Sequence, residues 1–375
     1  MEPTITTDQL ATLGTIAGKL KALGLDVKPT LNVSVGPLLS VYRFVPSGTT
    51  KFSQLERLGT DLAIVLGVED VLVKRLPGEA SVAVFVPNAT RTVVNFQATL
   101  NESYRIAQAG LMHVPLNFGV DYLGKPFVED LVNQPHILIA GSTNSGKSTL
   151  LSSMIATLMT TKKPSEIQFV LIDLKQVEFE HFVGAPHLVF MPATALAKAH
   201  EYIDYCVEER NRRQSLFKSL RIRNIFEYHA LLDPKLSPLP FIVIVIDELA
   251  KLFEDKSKPE KDKPTIAKQI EAKLQSLAAE SRSAGLYLVA ATQRPSAKIL
   301  AGDIKANFPA RLSFRLPSDT DSRTVLDMNG AEHLLSPGDM LYVSPNRPDF
   351  VRLHAPFVKL TDIDAAVAYA VQSNH

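Results

Sequence analysis

The stretch His136-Ile137-Leu138-Ile139-Ala140-Gly141-Ser142-Thr143-Asn144-Ser145-Gly146-Lys147-Ser148-Thr149 decides the fold. Its first five residues are mostly apolar and have the length of a buried strand. Residues 141–148 then match G-x-x-x-x-G-K-S, and Thr149 to Thr160 carries Leu150, Leu151, Met154, Ile155 and Leu158 at helical spacing. Strand, loop and helix in that order are the context in which such a loop grips phosphate. Glycines let backbone N–H groups turn inward, and the helix N-terminus adds partial positive charge. Gly141 through Thr149 are therefore the expected nucleotide-binding segment. Lys147 is expected to reach the β- and γ-phosphates, and the Ser148 hydroxyl to ligate magnesium.

A second half of such a site is written at Phe241-Ile242-Val243-Ile244-Val245-Ile246-Asp247-Glu248. A buried strand ending in two carboxylates supplies what hydrolysis needs beyond binding. Asp247 fits a magnesium role and Glu248 fits the base that orients an attacking water. Leu288 to Thr292 ends another apolar strand in Thr292-Gln293, and Gln293 is placed to sense the γ-phosphate. No H-E-x-x-H, paired C-x-x-C or G-x-S-x-G pattern competes, and the nine histidines are scattered.

Outward from these motifs, His136 to Ala140, Gln168 to Asp173, Phe241 to Asp247, Leu286 to Thr292 and Ala310 to Leu316 alternate with helical stretches. Short continuous apolar strands separated by helices predict a mostly parallel sheet covered on both faces. Before residue 118 the pattern is that of a smaller α/β unit. A helix is expected over 8–24 and a second across Leu55 to Leu66. Strands are expected over 26–34, 37–45, Asp70 to Arg75 and Ser81 to Pro87, with a turn at Pro77-Gly78. The expected division is 1–118 and 119–375, and Glu254 to Pro264 reads as a charged surface loop.

Composition bounds the class. With 375 residues, 46% hydrophobic and 21% charged, the chain is long enough for two or three compact domains and is not disordered in bulk. Forty basic against thirty-nine acidic residues exclude a globally basic nucleic-acid binder, though not a ring that concentrates charge in a pore. The lone Cys206 reads as a buried small side chain in a helix. The longest apolar run near the motifs, Phe241 to Ile246, falls far short of the roughly 20 residues a spanning helix needs. The expected location is cytoplasmic.

The stretch from Ala291-Thr292-Gln293-Arg294-Pro295-Ser296 through Gly302-Asp303-Ile304-Lys305-Ala306-Asn307, Asp321-Ser322-Arg323 and Gly338-Asp339-Met340-Leu341 closely resembles the motor of FtsK/SpoIIIE-type double-stranded DNA translocases. The likeness runs back through "IVIVIDELAKL", "EERNRRQSLFKSLRIRNIFEYH" and "LIDLKQVEFEHFVGAPHL" to "VGPLLSVYRF" in the first unit. It implies a RecA-like P-loop ATPase domain behind a smaller N-terminal α/β domain, an ATP- and Mg2+-dependent enzyme. It also implies a homo-hexamer around double-stranded DNA. Arg294, Lys305 and Arg323 match loops that touch phosphates in the channel, which suits a motor indifferent to sequence. Arg282 matches an arginine that would reach the neighbouring subunit's γ-phosphate, with Arg311 and Arg323 as rivals. Lys175 and Glu178 match a block at subunit contacts or near the nucleotide, with a local salt bridge as the other reading.

Two departures stand out. Asp319 sits where these motors often carry a channel lysine, and the Glu254 to Pro264 connection is long. The match lacks the membrane helices and winged-helix domain of chromosome-segregating members. An unanchored, orientation-blind pump is expected if the chain is a whole protein, and a piece of a longer one otherwise. The alternatives are a conjugation- or secretion-type motor acting on protein or single-stranded DNA, and a nucleotide-gated DNA-binding scaffold.

Overall fold

The computed structural model describes residues 5–76, 78–231, 237–254, 264–296, 305–335, 337–347 and 349–373. Pro77 of the expected turn and 255–263 of the expected charged loop lie outside the described residues.

The first helix, α1 (Thr7–Ala22), starts at Thr6, whose hydroxyl accepts from Gln9 N while the Gln9 side chain accepts from Thr6 N. Leu13, Ile16 and Leu20 form its buried stripe. A small antiparallel sheet follows, in the order β1 (Val27–Pro29), β3 (Leu39–Pro46), β5 (Val82–Pro87), β4 (Leu72–Arg75), with β2 (Ser34–Val35) also on β3. The strand expected over 26–34 is thus two short pieces. The helix expected across Leu55 to Leu66 is also two, α2 (Phe52–Glu56) and α3 (Gly59–Leu66). The break has a steric role: at Gly59 the chain passes so close to Val71 that an added Cβ would lie 2.3 Å from the Val71 carbonyl oxygen.

The large sheet has nine strands. Helix α4 (Phe96–Gln108) leads to β6 (Pro115–Asp121), β7 (Pro126–Asp130) and β8 (His136–Ala140). Then come α5 (Lys147–Thr161), β9 (Ile167–Ile172), α6 (Leu196–Leu220), α7 (Ile225–Ala230), β10 (Phe241–Ile246), α8 (Leu249–Phe253) and α9 (Ile266–Glu280). The chain finishes with β11 (Leu286–Thr292), β12 (Ala310–Phe314), α10 (Asp319–Leu326), β13 (Asp339–Val343), β14 (Val351–His354) and α11 (Leu360–Gln372). The strand order is β7-β6-β14-β13-β12-β8-β11-β10-β9.

Only the half from β12 to β9 is parallel; β13, β14, β6 and β7 extend it antiparallel. This corrects the mostly parallel sheet expected above. The antiparallel strands lack the long apolar runs from which a parallel strand is read. Residue 118, the expected junction, lies inside β6 and so within the large sheet. We propose instead a division between Pro87 and Phe96.

Alternation places the cores. In β10, Phe241, Val243 and Val245 join the cluster around α5, while Ile242, Ile244 and Ile246 join the one around α6 and α9. The small sheet is buried on both faces by the same period of two. Tyr42, Phe44, Val82, Val84 and Val86 pack with Leu13, Ile16 and Leu20 of α1. Leu39, Val41, Leu72, Ala83 and Phe85 instead join the core of the large sheet, with Leu326, Leu334 and Leu341. Polar contacts seal this junction: Lys74 Nζ donates to Asn329 Oδ1 at 2.9 Å, and His333 Nδ1 lies 3.0 Å from Asp70. Cys206 is fully buried on α6 as expected, and burial pushes its thiol pKa up.

Candidate active site

The loop between β8 and α5 is tied to its neighbours by main chain. Gly141 N donates to Thr292 O at 3.2 Å, and Ser142 donates to Arg315 O through both N and Oγ. An added Cβ at Gly141 would meet Ser145 Oγ at 2.5 Å and Phe314 Cβ at 2.8 Å. Gly146, at φ +107°, begins α5 in a conformation that L side chains avoid. A run of backbone bonds leads away from the loop. Gly338 N donates to Ser145 O, Ala355 N to Gly338 O and Phe357 N to Val94 O, each at 2.8 Å.

The structure brings the expected chemistry together. Lys147, 3% exposed, donates to the Asp247 carbonyl at 2.7 Å and to its Oδ1 at 2.6 Å. Glu248 follows at the end of β10. Its Oε1 accepts from Thr292 Oγ1 at 2.8 Å and Gln293 N at 3.1 Å, and its Oε2 accepts from Lys175 Nζ at 3.1 Å. Gln293 Oε1 lies 3.5 Å from Thr143 Oγ1, on the rim of the loop. Parallel registers explain this convergence, because β8, β10 and β11 all end at the same edge of the sheet.

One residue missed in the sequence reading organises the approach. Asp173, at the end of β9, accepts five backbone N–H groups: Lys175 and Gln176 on Oδ1, and Val177, Glu178 and Phe179 on Oδ2. That wraps the 174–179 segment around a single carboxylate. It delivers Lys175 to Glu248 and Glu178 to Ser148, whose Oγ donates to Glu178 Oε1 at 2.7 Å. Lys175 thus makes a local salt bridge, to Glu248 and with Asp247 3.7 Å away, while Glu178 lies against Ser148 of the phosphate loop. The only sequence signal was an aspartate immediately after an apolar strand.

A magnesium ion fits the residues present. Asp247 Oδ2 is buried and accepts no hydrogen bond, with Lys175 Nζ 3.7 Å away. Ser148 Oγ and Glu178 add further hard oxygens beside the loop. Magnesium takes such donors, typically one or two carboxylates with substrate phosphates and water completing its shell.

The other expected residues lie apart. Arg282 is exposed in the 3-10 turn before β11, at the opposite edge of the sheet from the loop. The seven residues of β11 put roughly 20 Å between the two ends at a strand's rise per residue. Arg294 is exposed, with Nη1 3.5 Å from Glu254. Lys305 Nζ and Arg311 Nη1 both donate to Asp327 at 2.7 Å. Arg323 pairs with Asp319 at 3.1 Å, so the acidic departure at 319 is matched by a partner one helical turn on.

Comparison with known proteins agrees with this architecture. The FtsK/SpoIIIE family model matches residues 104–297, and the FtsK alpha domain matches residues 4–88. The chain is similar to the DNA translocase FtsK of Staphylococcus aureus, at 34% identity over 361 residues, 94% of this chain and 44% of that protein. It is similar to the DNA translocase FtsK of Pasteurella multocida at 36% identity, over 91% of this chain and 38% of that one. It therefore spans less than half the length of these relatives. Among solved structures, the pCW3 conjugation coupling protein TcpA matches with TM-score 0.67 and 21% identity, over 97% of this chain and 100% of that one. The type VII secretion ATPase EccC of Thermomonospora curvata matches with TM-score 0.59 and 25% identity, over 69% and 31%. Among the described residues no helix is long and apolar enough to cross a membrane. The fold is that of P-loop ATPase motor domains, and with its family model spanning more than half of the sequence, the chain belongs to the FtsK/SpoIIIE family.

Proposed function

We propose that this chain hydrolyses ATP to move double-stranded DNA through a homo-hexameric ring, with little regard to sequence. The observation that carries the hydrolytic half is the convergence of Lys147, Asp247, Glu248 and Gln293 on one phosphate loop. Backbone N–H groups of 141–149 bind the phosphates. Lys147 passes from Asp247 to the β- and γ-phosphates, and Glu248 orients the attacking water. Ser148 and Asp247 hold a magnesium ion, which when bound neutralises charge developing on the phosphoryl oxygens. Gln293 reports the γ-phosphate to the strand end that leads to Arg294.

The ring half rests on the family and on Arg282. At the far edge of the sheet Arg282 is out of reach of its own loop, so it serves hydrolysis only across a subunit boundary. Arg294, Lys305 and Arg323 contact DNA phosphates, and the work is done in the cytoplasm. The test is ATP turnover with and without duplex DNA, alongside displacement of a triplex-forming strand. Turnover indifferent to duplex, with no displacement, refutes translocation. A conjugation-type motor is the second reading, favoured by the whole-chain fold likeness to TcpA. Stimulation by single-stranded DNA above duplex would select it.

A further inference from the structure

A second buried ion pair lies close to the phosphate loop without taking part in the constellation described above. Asp339, the first residue of β13, and Arg352 of β14 are both buried. Arg352 Nε donates to Asp339 Oδ1 at 3.0 Å and Nη2 donates to Oδ2 at 2.5 Å. Leu335 N donates to the same Oδ2 at 2.8 Å. The guanidinium carbon lies 5.3 Å from the centre of the Phe85 ring of the small sheet, so an aromatic face closes one side of the pair. His354, also buried, stands 3.5 Å from Asp339 Oδ1, and burial holds its pKa down at about 4, which leaves it neutral.

Such a pair is a poor source of stability. Taking two charges out of water costs about as much as their attraction returns, and apolar residues of similar volume often serve as well or better. Arg352 Nη1 is moreover buried with no acceptor among the described residues. What a bidentate fork supplies is geometry. Here the geometry is that of the turn before β13, clamped between Leu335 and Asp339. Gly338 of that turn donates from its N to Ser145 O at 2.8 Å. It packs so near the loop that a Cβ added to Gly146 would lie 3.0 Å from the Gly338 nitrogen.

We infer that Asp339 and Arg352 are positioning residues for the phosphate loop. The peptide joining Ser145 to Gly146 is planar and trans, so fixing its carbonyl oxygen on one side fixes the direction of Gly146 N–H on the other. That N–H is one of the donors expected to meet phosphate, and a donor aimed before the ligand arrives needs no reorganisation when it binds. The bond to Ser145 is main chain, but the place from which it is made is set by two side chains. The inference rests on the proposed nucleotide site and adds what holds its loop in shape.

The test replaces the pair in the full chain by apolar residues of similar size, Asp339→Leu together with Arg352→Met. The melting temperature should stay at or above that of wild type. Calorimetric titration should show ATP and inorganic tripolyphosphate both bound roughly tenfold more weakly, the scale of one hydrogen bond. Hydrogen exchange at Gly338 should quicken. Wild-type affinity for both ligands in a double variant that melts like wild type overturns the inference, as does an unchanged exchange rate at Gly338. If the double variant does not fold, Arg352→Lys carries the same readouts, because it keeps the charge and loses the fork. Both ligands should then weaken roughly threefold, and undiminished affinity with unaltered exchange at Gly338 refutes positioning. Undiminished binding of both ligands to Lys147→Ala instead overturns the underlying nucleotide site.

Discussion

The phosphate site and the candidate DNA face both consist of paired charges, but the pairs differ in kind. Lys147 and Asp247 are 3% and 1% exposed, and Glu248 and Asp173 are nearly as buried. Lys305, Arg311 and Arg323 pair with Asp327 and Asp319, which are largely exposed. A buried charge must be hydrogen-bonded before any ligand arrives, so its surroundings are fixed by the fold. An exposed pair costs little to open, and a polyanion can replace the carboxylate. On the proposed function, the first region suits a fixed chemistry and the second an exchangeable grip.

The sharpest way to break this contrast is Lys147→Ala. It should remove hydrolysis almost completely. It should also lower unfolding free energy by about 3–5 kcal/mol, the usual cost of stranding a buried charge. Denaturant melts measure this, and the double variant with Asp247→Ala should recover part of the loss. Unchanged stability would mean that the pair is not a closed one. Next comes Asp173→Ala, which leaves five backbone amides without their acceptor. A loss of about 1–2 kcal/mol is expected, since the Phe179 donor is buried while water reaches most of the others, together with at least tenfold slower turnover. Asp173→Asn should retain part of both.

On the exposed side, Lys305→Ala and Arg323→Ala should each change stability by less than about 1 kcal/mol. Basal turnover should hold while stimulation by DNA falls, and each loss should reduce the salt slope of DNA binding by about one. A large stability loss would place these residues with the buried class.

The smallest effect belongs to the junction between the two sheets. The hydrogen bond that His333 donates to Asp70 raises the pKa of His333 above its ordinary 6.5, with Glu332 helping and burial and Lys74 opposing. The contribution is therefore fully present below about 6.5 and is lost as pH rises through the raised value. Wild type should exceed His333→Gln in melting temperature at pH 6, and the gap should narrow as pH rises above 6.5. The difference should stay within about 1 kcal/mol.

Sequence reading reached the buried chemistry because its signals are local. An apolar strand ending in Asp247-Glu248, a glycine-framed loop and a strand ending in Thr292-Gln293 each declare themselves within ten residues. Three things stayed hidden, and for different reasons. The antiparallel strands are two hairpins, β6 with β7 and β13 with β14, and what attaches them to the sheet is pairing between separated segments, β12 with β13 and β14 with β6. The Asp173 turn is held by backbone groups, which every residue has. The main-chain bond from Phe357 N to Val94 O joins segments more than two hundred residues apart. Pairing on the exposed face was equally invisible, since Asp327 meets Lys305 and Arg311 only through the fold.

The main-chain bonds that run from Ser145 through Gly338 and Ala355, and from Phe357 to Val94, contain no side-chain atom. Ordinary substitution at Val94, Ser145, Ala355 or Phe357 therefore leaves the donors and acceptors in place, whereas Gly338, at φ +95°, resists any side chain. Only proline at 338, 355 or 357 deletes a link, by removing an N–H. The connection between the fuel site and the neighbouring unit is thus written in the part of the polymer that copying errors rarely touch. Descendants can diverge widely in sequence and still inherit it.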